Sequence, residues 1–305
     1  MNILVTGGAG FIASHIVDKL IAVGHRVAVM DNLSTGSISN VTSKARFYEV
    51  DILDKKINEI IKAEKPQVVI HHAAQIDIQK SLQDPVFDGQ VNILGTINLL
   101  KACINHGVEK IIYASSAAVY GDPEYLPVDE LHPVGPISYY GISKHTPEHY
   151  IETFSRLHGL KYTVLRYANA FGPRQDPKGE GGVVSIFVDK LLKGDNPTIF
   201  GDGLQTRDFV YVDDIARANV FAIDRGDNEI INISSNARTS VSELFETMRE
   251  LTGLRLQPCF EAARAGDILH SALDNKKARD LLNWTPAYNL AVGLKETIEY
   301  YKPLY

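Results

Sequence analysis

A tyrosine and a lysine four residues apart are the first candidates for chemistry in this chain. Tyr140 and Lys144 lie in the stretch YYGISK, and two residues at this spacing share one face of a helix. A lysine ammonium beside a phenol favours the phenolate, so it lowers the phenol pKa from its usual value near ~10. The pair could then act as a general base or acid at an alcohol carbon. Ser116, in YASSAAVYG, offers a hydroxyl that could meet the same substrate oxygen.

The elements around these residues alternate between strands and helices. Short runs rich in valine, isoleucine and aromatic residues indicate strands, and segments with a 3.6-residue apolar period lie between most of them. Strands that are apolar on both faces and separated by helices indicate a parallel sheet covered on both sides. The sequence therefore predicts an α/β fold, a Rossmann-type doubly wound sheet of about seven strands. The clearest strands are predicted at residues 3–6, 26–30, 46–50, 67–70, 110–114 and 162–166.

A glycine-rich turn between the first strand and the first helix predicts a nucleotide site. Gly7 and Gly10 allow the tight turn and the close approach of a pyrophosphate, and Ala13 is small enough for helix–strand packing. Asp31 closes the second strand, where its carboxylate can accept a hydrogen bond from a ribose 2′-hydroxyl and repel a 2′-phosphate. This combination predicts NAD as the cofactor and disfavours NADP.

Further cofactor contacts are expected where the parallel strands end, because open parallel sheets bind ligands at that edge. The residues expected there are Asp51, Ala73, Ala74 and Ser115 at the strand ends, with Phe11, Ile12, Asn32, Ile52 and Gln75 near them. The adjacent His71 and His72 lack a third ligand at a useful spacing. We therefore expect a packed or hydrogen-bonded histidine pair and no metal site.

The composition argues against several classes of partner. The 305 residues carry a net charge of −6 with lysine and arginine scattered, so no basic stripe suggests nucleic acid or an anionic membrane surface. No apolar stretch approaches the ~20 residues of a membrane span, and no targeting segment is expected before the first strand. The two cysteines, Cys103 and Cys259, are too few for a disulfide framework. We expect a cytoplasmic protein with a small-molecule substrate.

The regular alternation loosens after Arg166 into the Gly/Pro-rich stretch YANAFGPRQDPKGEGG. A helix near 183–193 and the segments after Thr239 are expected to form a smaller, mixed α/β substrate domain. The stretch 208–233 is expected to return to the main sheet as one more helix and strand. The predicted domains are therefore 1–172 with 208–233 for NAD, and 173–207 with 234–305 for the substrate.

Several motifs, taken in order, resemble one enzyme superfamily. They include VTGGAGFIASH, DNLSTG, HHAAQ, VNILGTINLL, SSAAVYGDP, YYGISK, RYANAFGPRQ, TIFGDGLQTRDFVYVDDIA and RAGDILHSALDNKKA. Together they resemble the extended short-chain dehydrogenases/reductases, specifically nucleotide-sugar epimerases of the UDP-glucose 4-epimerase type. The resemblance implies that Tyr140 takes the proton of the sugar 4-hydroxyl while the C4 hydride passes to NAD. The 4-keto sugar then turns about its diphosphate linkage and takes the hydride back on its other face.

The resemblance also implies roles for individual residues. Lys144 would hold the nicotinamide ribose, and Ser116 would orient the sugar 4-oxygen. Asn92 and Tyr167 match family positions around the cofactor. The residues implied to hold the UDP-sugar, besides Ser116 and Tyr140, are Asn169, Val183, Arg207, Arg264 and Asp267. The forked guanidinium of arginine suits phosphate oxygens. The alternative is that these arginines are ordinary surface residues that bind no phosphate.

Three positions bear on the substrate and the reaction. Ser271, in GDILHSALD, aligns with a family position where a bulky residue restricts the sugar C2 pocket. A serine there implies room for N-acetylated UDP-sugars alongside UDP-glucose and UDP-galactose, and an ordinary loop serine is the alternative. Ala117 and Ala118 stand where dehydratases and decarboxylases carry acidic residues, which disfavours elimination. A UDP-glucuronate 4-epimerase and a regulatory protein that senses NAD without turnover stay open as alternatives.

The helices raise two further expectations. Segments 84–106 and 139–158 resemble helices that pair in dimers of the family, so a homodimer is expected, although many of their apolar residues must face the chain's own sheet. Those apolar residues include Ile93, Leu99, Ile151 and Phe154. Pro147 lies three residues after Lys144, and a proline removes a backbone donor from a helix. A kink there, or a distorted first turn around the catalytic pair, is therefore expected.

Overall fold

The computed structural model describes residues 1–177, 182–263 and 268–305. In chain order its strands are β1 (Asn2–Thr6), β2 (Arg26–Asp31), β3 (Arg46–Glu49), β4 (Val68–His71), β5 (Lys110–Ser116), β6 (Lys161–Tyr167), β7 (Asn169–Phe171), β8 (Thr198–Phe200), β9 (Thr206–Arg207), β10 (Phe209–Tyr211), β11 (Glu229–Ile233), β12 (Thr239–Ser240) and β13 (Cys259–Glu261). Seven of them form one parallel sheet in the spatial order β11, β6, β5, β4, β1, β2, β3. The predicted doubly wound sheet is confirmed, and β11 is the strand that returns to it.

Helices cover both faces of this sheet. In chain order they are α1 (Phe11–Ala22), α2 (Ile57–Glu64), α3 (Ile78–Gln83), α4 (Pro85–Gly89), α5 (Gly95–Asn105), α6 (Tyr139–His158), α7 (Val183–Lys193), α8 (Val212–Phe221), α9 (Val241–Thr252), α10 (Lys276–Leu282) and α11 (Leu290–Tyr301). A π-helical segment, Gln90–Leu94, joins α4 to α5, and short 3₁₀ turns lie at Ile38–Asn40, Ala117–Val119 and Lys302–Leu304. Among the described helices, none combines the length and the hydropathy needed to cross a membrane.

The strands are apolar on both faces because a separate core lies against each face of the sheet. In β1, Ile3 and Val5 pack into a first core with α1 and α8, whereas Leu4 packs into a second core with α2, α5 and α6. This alternation follows from the two-residue period of a strand. Leu99 and Ile151, which lie along the helices expected in a dimer, are fully buried in the second core.

Helix α6, which carries the tyrosine and the lysine, has a defined start and end. Ser138 caps its N-terminus, where its hydroxyl accepts from the Gly141 N–H at 3.0 Å. The helix ends at Gly159, whose φ of +73° gives the left-handed conformation common after a helix. Between these ends the α-helix continues through Pro147 without interruption. Its first turn is therefore capped and helical, so the distortion expected there is not what the structure shows.

A third core forms the smaller part of the molecule. Phe187 of α7 and Phe245 of α9 meet edge to face there, and α11 packs against the same cluster. The helix expected near 183–193 is confirmed as α7. Leu273 and Trp284 pack instead into the first core, beside α8 and β11. The division of the chain into two domains at the boundaries given above stays a prediction.

Candidate active site

One wall of the candidate site is the turn between β1 and α1. Gly7 has a φ of +70°, a region that favours glycine. A Cβ atom on Gly7 would lie 2.7 Å from the backbone nitrogen of Ala73 and 2.8 Å from the carbonyl carbon of His72. The Gly7 N–H donates to Met30 O at 2.7 Å, and the Gly10 N–H donates to Gly7 O at 3.0 Å. Glycine thus lets the turn sit directly against the end of β4.

Helix α1 points its N-terminus into a cleft at the carboxyl end of the sheet. Gly10, which has no side chain to cap the helix, precedes its first turn. Phe11 and Ile12, the first helical residues, line the cleft. The first N–H groups of an α-helix lack intrahelical acceptors and carry the positive end of the helix dipole. The cleft therefore presents a binding position for a phosphate group.

Asp31 ends β2 beside this turn, and the residue is 7% exposed. Its Oδ2 accepts from the Ala9 N–H at 2.9 Å, and its Oδ1 accepts from the Leu33 N–H at 2.8 Å. Burial raises the pKa of Asp31, while these two backbone hydrogen bonds lower it. Each carboxylate oxygen keeps further acceptor capacity, so the group can accept from the hydroxyls of a ribose.

The opposite wall comes from the ends of β3 and β4. Asn32 Nδ2 donates to Asp51 Oδ2 at 2.7 Å, which joins the loops after β2 and β3. The predicted cofactor residues that line the cleft are Gly7, Gly10, Phe11, Ile12, Asp31, Asn32, Asp51, Ile52, Ala73 and Ala74. Ser34, Thr35 and His72 line it as well and were not predicted. The motif DNLSTG contains the first two and was the available signal for them.

Ser116, Tyr140 and Lys144 come from two neighbouring elements, β5 and α6. Ser116 is the last residue of β5, and its Oγ caps the following 3₁₀ turn by accepting a backbone N–H at 3.2 Å. Tyr140 lies in the first turn of α6, where its N–H donates to Ser81 Oγ at 3.2 Å. Lys144 follows one turn later on the same helix. Because the turn Ala117–Val119 packs against α6, the structure brings these elements together.

The ammonium of Lys144 is buried beside an aromatic ring. The residue is 4% exposed, and Nζ lies 4.7 Å from the centroid of the Tyr113 ring. Burial lowers the pKa of Lys144 to about 8, and the charges of Glu148 and Asp88 oppose that shift. Among the described residues, Nζ forms no salt bridge within 4 Å, and it is not one of the fully enclosed polar atoms that lack a partner, so the nitrogen itself keeps some contact with solvent. A buried ammonium needs an acceptor, and a hydroxyl of a bound ligand can supply one.

Gln75 and Asn92, both predicted to contact the cofactor, are tied to each other. The Gln75 N–H donates to Asn92 Oδ1 at 2.8 Å, and Asn92 Nδ2 donates to Gln75 O at 2.9 Å. Asn92 Nδ2 also donates to Ser143 Oγ at 2.9 Å, and Ser143 Oγ donates to Tyr140 O at 3.1 Å. The pair therefore holds the first turn of α6 in place. Contacts of the two residues with a cofactor stay predictions.

Ser115 and Tyr167, at the ends of β5 and β6, are engaged with other side chains. Ser115 Oγ donates to Glu148 Oε1 at 2.6 Å. The Tyr167 hydroxyl accepts from Asn219 Nδ2 at 2.8 Å and lies 3.0 Å from His72 Nε2. Burial raises the pKa of Tyr167 well above its ordinary value, so its hydroxyl keeps its proton. Their contacts with a cofactor stay predictions as well.

The two histidines at the end of β4 are hydrogen-bonded within the fold. His71 Nδ1 lies 2.7 Å from Thr6 Oγ1, and its Nε2 lies 2.9 Å from Thr96 Oγ1. The His72 ring stacks on Tyr167. Burial lowers the pKa of both histidines, that of His72 to about 3, so both rings are neutral at physiological pH. The described residues contain no group of three side chains suited to a metal ion.

Arg207 and Ser271, predicted to hold the substrate, lie next to each other in the smaller part of the molecule. Both are half-buried. Arg207 is in β9, and its guanidinium donates to Thr206 O at 2.9 Å. The same carbonyl oxygen accepts from the Ser271 N–H at 3.1 Å. If Arg207 binds the diphosphate, its side chain lies beside Ser271, the residue predicted to border the sugar.

Of the four other residues predicted to hold the substrate, the structure describes two. Asn169 is exposed and begins β7, which pairs in parallel with β10. Val183 is half-buried and begins α7, directly after the N-cap residue Gly182. Arg264 and Asp267 lie outside the described residues. The roles of all four stay predictions.

A model of the NAD dependent epimerase/dehydratase family matches residues 3–234 of the chain. The chain belongs to this family. The match spans β1 to β11, which is the whole parallel sheet together with the cleft and the Ser116, Tyr140 and Lys144 group. The predicted superfamily and the predicted dependence on NAD are confirmed.

Relatives of this epimerase/dehydratase family member cover the full chain. The UDP-glucose 4-epimerase of Mycolicibacterium smegmatis is 41% identical over 309 residues, which cover 99% of each chain. A solved structure of the Thermotoga maritima UDP-glucose 4-epimerase with UDP-glucose is 47% identical, covers 100% of this chain and 99% of that chain, and has a TM-score of 0.98. The Thermus thermophilus UDP-glucose 4-epimerase in complex with NAD is 40% identical, covers 99% of each chain and has a TM-score of 0.94.

The residues of this family member fit NAD on their own geometry. Gly7 leaves no space for a Cβ atom, and the α1 N-terminus beside it offers donors for a diphosphate. The Asp31 carboxylate is held in place to accept from one ribose. The Lys144 ammonium, buried without a salt bridge among the described residues, can donate to the other. The lining of the cleft therefore fits the diphosphate and one ribose of a dinucleotide, and the contact of Lys144 with the other ribose stays a prediction.

Proposed function

We propose that the protein is a UDP-glucose 4-epimerase that interconverts UDP-glucose and UDP-galactose with NAD held in the cleft. The observation that carries this proposal is the placement of Ser116, Tyr140 and Lys144 on β5 and α6, at the carboxyl end of the sheet that forms the NAD cleft. The relatives described above, which align over nearly the whole chain, support the same activity.

Tyr140 is the proposed acid–base group. Its phenolate accepts the proton of the sugar 4-hydroxyl as the C4 carbonyl forms, and the phenol returns that proton when the alcohol is restored. The Lys144 ammonium, four residues later on the same face of α6, stabilises the phenolate. Ser116 donates to the 4-oxygen and holds it near Tyr140. NAD, when bound, supplies reversible acceptance of a hydride from C4.

Inversion at C4 requires that the 4-keto sugar turn, so that the hydride returns to the opposite face of C4 while the 4-oxygen again meets the same acid–base group. Arg207 would hold the diphosphate while the sugar turns, together with the predicted contacts of Asn169, Val183, Arg264 and Asp267. An arginine fork suits phosphate oxygens, so a fixed diphosphate gives the sugar a pivot. Ala117 and Ala118 follow Ser116 in the 3₁₀ turn and provide no carboxyl group for elimination, which favours epimerisation.

We infer further that the chain forms a homodimer through the surface of α3, α4 and α6. Ile78, Leu82, Val86 and Ile142 are 44%, 50%, 67% and 46% exposed, a density of exposed apolar residues that favours an interface. Phe154 packs against the second core, and Ile93 is half-buried. The four more exposed side chains are therefore the main apolar contacts of the proposed interface. We also propose a cytoplasmic location, with which the free thiols of the two cysteines agree.

The experiment is a conversion assay on the purified protein. UDP-galactose should yield UDP-glucose, and Tyr140→Phe should lower kcat roughly 1,000-fold, because the proton has no acceptor. Tyr139→Phe is the matched control, since Tyr139 is the exposed neighbour in the same turn, and it should retain activity. Wild-type protein that binds NADH but converts nothing, with or without added NAD, would favour the NAD-sensing alternative. Conversion of UDP-glucuronate alone would assign the protein to that epimerase class.

A further inference from the structure

The buried position of Lys144 disfavours the charged form of its amine. The residue is 4% exposed, and its Nζ lies over the face of the Tyr113 ring without a salt bridge to any carboxylate of the described residues. His71 and His72 at the end of β4 are neutral and give no compensation. Desolvation of an ammonium costs several kcal/mol unless other charges offset it. Something else in the fold must therefore favour the protonated amine.

The first compensating group is Asp88, one residue before the end of α4. Asp88 is 1% exposed, and its Oδ1 accepts from Gln75 Nε2 at 2.8 Å and from Asn92 Nδ2 at 3.3 Å. Asn92 Nδ2 also donates to Ser143 Oγ, and Ser143 precedes Lys144 in the chain. This hydrogen-bond chain holds the carboxylate beside the first turns of α6.

The second compensating group is Glu148, one helical turn after Lys144 on the same face of α6. Its two oxygens accept from Arg166 at 3.0 Å and 2.6 Å, from Ser115 at 2.6 Å and from His145 at 2.9 Å. Burial would raise the pKa of Glu148, but the hydrogen bonds from His145 and Arg166 and the Arg166 charge lower it to about 2. The carboxylate is thus ionised at neutral pH.

We propose that Asp88 and Glu148 are positioning residues that keep the Lys144 ammonium charged from two different elements without contacting it. The inference rests on the proposed function, because it explains how Lys144 can serve Tyr140 and the cofactor while buried. Both carboxylates have their hydrogen-bond partners within the protein, so neither neutralises Lys144 by direct contact. Their field leaves the ammonium protons available to a bound ligand.

The sign of the effect follows from the charge of each state. A nearby negative charge favours the protonated amine, so its removal lowers the pKa of Lys144 from its value of about 8. The protonated form is lost as the pH rises through that pKa. A variant without one carboxylate should therefore lose protonated Lys144 at a lower pH than the wild type, and should behave like the wild type in acid.

The test uses Asp88→Asn, because an amide oxygen can still accept both hydrogen bonds that Oδ1 accepts. The full-length protein, washed free of dinucleotide, is labelled with acetic anhydride between pH 6 and 10. Mass spectrometry follows the Lys144 peptide, since only the neutral amine reacts. The labelling midpoint should fall by about one pH unit. The alkaline limb of kcat/KM for UDP-galactose should move with it, to about tenfold lower activity at pH 9 and little change at pH 6.

Three controls separate charge from structure. Labelling of the exposed Lys101 in the same samples should keep its midpoint. Glu152→Gln removes the same charge one turn beyond Glu148 and should leave Lys144 unchanged. Asp88→Glu retains the charge and should restore the wild-type midpoint. Glu148→Gln should shift the midpoint in the same direction as Asp88→Asn, and if it does not fold, Asp88→Asn decides alone.

The outcomes that overturn the proposal are specific. An unchanged Lys144 midpoint in Asp88→Asn, with or without an equal loss of activity at every pH, means that Asp88 acts only on structure. A wild-type labelling midpoint above pH 10 means that the site does not lower the pKa of Lys144. The two carboxylates then have no unfavourable effect to offset. The labelling readout does not depend on turnover, so it tests the proposal even if UDP-galactose is not a substrate.

Discussion

The dinucleotide cleft is lined by backbone and short side chains at the ends of long parallel strands, whereas the proposed sugar site depends on long side chains carried by very short strands. Gly7 directly follows the five-residue strand β1, and Asp31 ends the six-residue strand β2, both of which have a parallel neighbour on each side. Arg207 lies in a two-residue strand, and Ser271 follows an isolated bridge. We therefore expect the first region to accept one ligand shape, and the second to change its ligand preference through single side chains.

This difference explains why substitutions should act differently in the two regions. In the cleft, a Cβ atom or a lost carboxylate alters backbone packing that no neighbour can replace. In the sugar site, the residues are half-buried and can be exchanged without disturbing the sheet. Three variants test the comparison, from the largest expected effect to the smallest.

Gly7→Ala should have the largest effect, because the new Cβ atom would lie 2.7 Å from a backbone nitrogen at a φ of +70°. We expect NADH affinity to fall about 100-fold, as measured by fluorescence titration. The free energy of unfolding in urea should fall by about 2 kcal/mol. Gly24→Ala is the matched control, with a φ of +89° but open space around its Cβ position. It should lose about 1 kcal/mol of stability and keep its NADH affinity. Equal NADH affinities in the two variants would refute the close-packed cleft.

Arg207→Leu should act on the sugar site alone. Loss of charge-assisted hydrogen bonds to a diphosphate should raise KM for UDP-galactose roughly 10- to 100-fold, while NADH affinity stays at the wild-type value. Arg238→Leu, at an exposed arginine, is the control for loss of positive charge. If NADH affinity falls as much as substrate affinity, the two regions are not separable and the comparison fails.

Ser271→Tyr should have the smallest effect and the most selective one. A bulky side chain beside Arg207 should reduce kcat/KM for UDP-N-acetylgalactosamine roughly tenfold more than for UDP-galactose. The panel of substrates includes UDP-glucuronate, which tests the third sugar class at the same time. An equal loss with every substrate would show that Ser271 does not border the sugar C2 position.

The sequence predicted the dinucleotide half closely because backbone geometry dictates its residue types. A turn at positive φ against β4 requires glycine, and a strand that is buried on both faces requires apolar residues, so both leave clear patterns. The residues predicted at the strand ends that line the cleft include Asp31, Asp51 and Ala73. The other predicted cofactor residues are not among those that line it, and they are Gln75, Asn92, Ser115, Tyr140, Lys144 and Tyr167. Of the two outcomes expected at Pro147, the distorted first turn does not occur, because Ser138 caps a regular helical start, and a kink stays a prediction.

The sequence did not reveal which polar side chains form hydrogen bonds within the fold. Asn92 and Ser115 bear groups suited to a cofactor, and in the structure they also form hydrogen bonds with Gln75 and Glu148 that the sequence did not predict. The sequence gives no signal that Asp88 is buried, because a single acidic residue in a helix is typical of a solvent-exposed face. Such distinctions depend on contacts between distant segments, which periodicity and spacing do not encode.

The π-helical segment Gln90–Leu94 has a consequence for insertions and deletions. A π turn holds one more residue than an α turn, and each residue advances an α-helix by about 100°. The added residue therefore sets α5 out of phase with α4, so that Asn92 reaches Gln75 while Leu99 still faces the sheet. Removing one residue here would restore a regular α-helix. That helix could direct Asn92 towards Gln75 or Leu99 towards the sheet, but not both. Chain length is thus under tighter constraint in this segment than residue type.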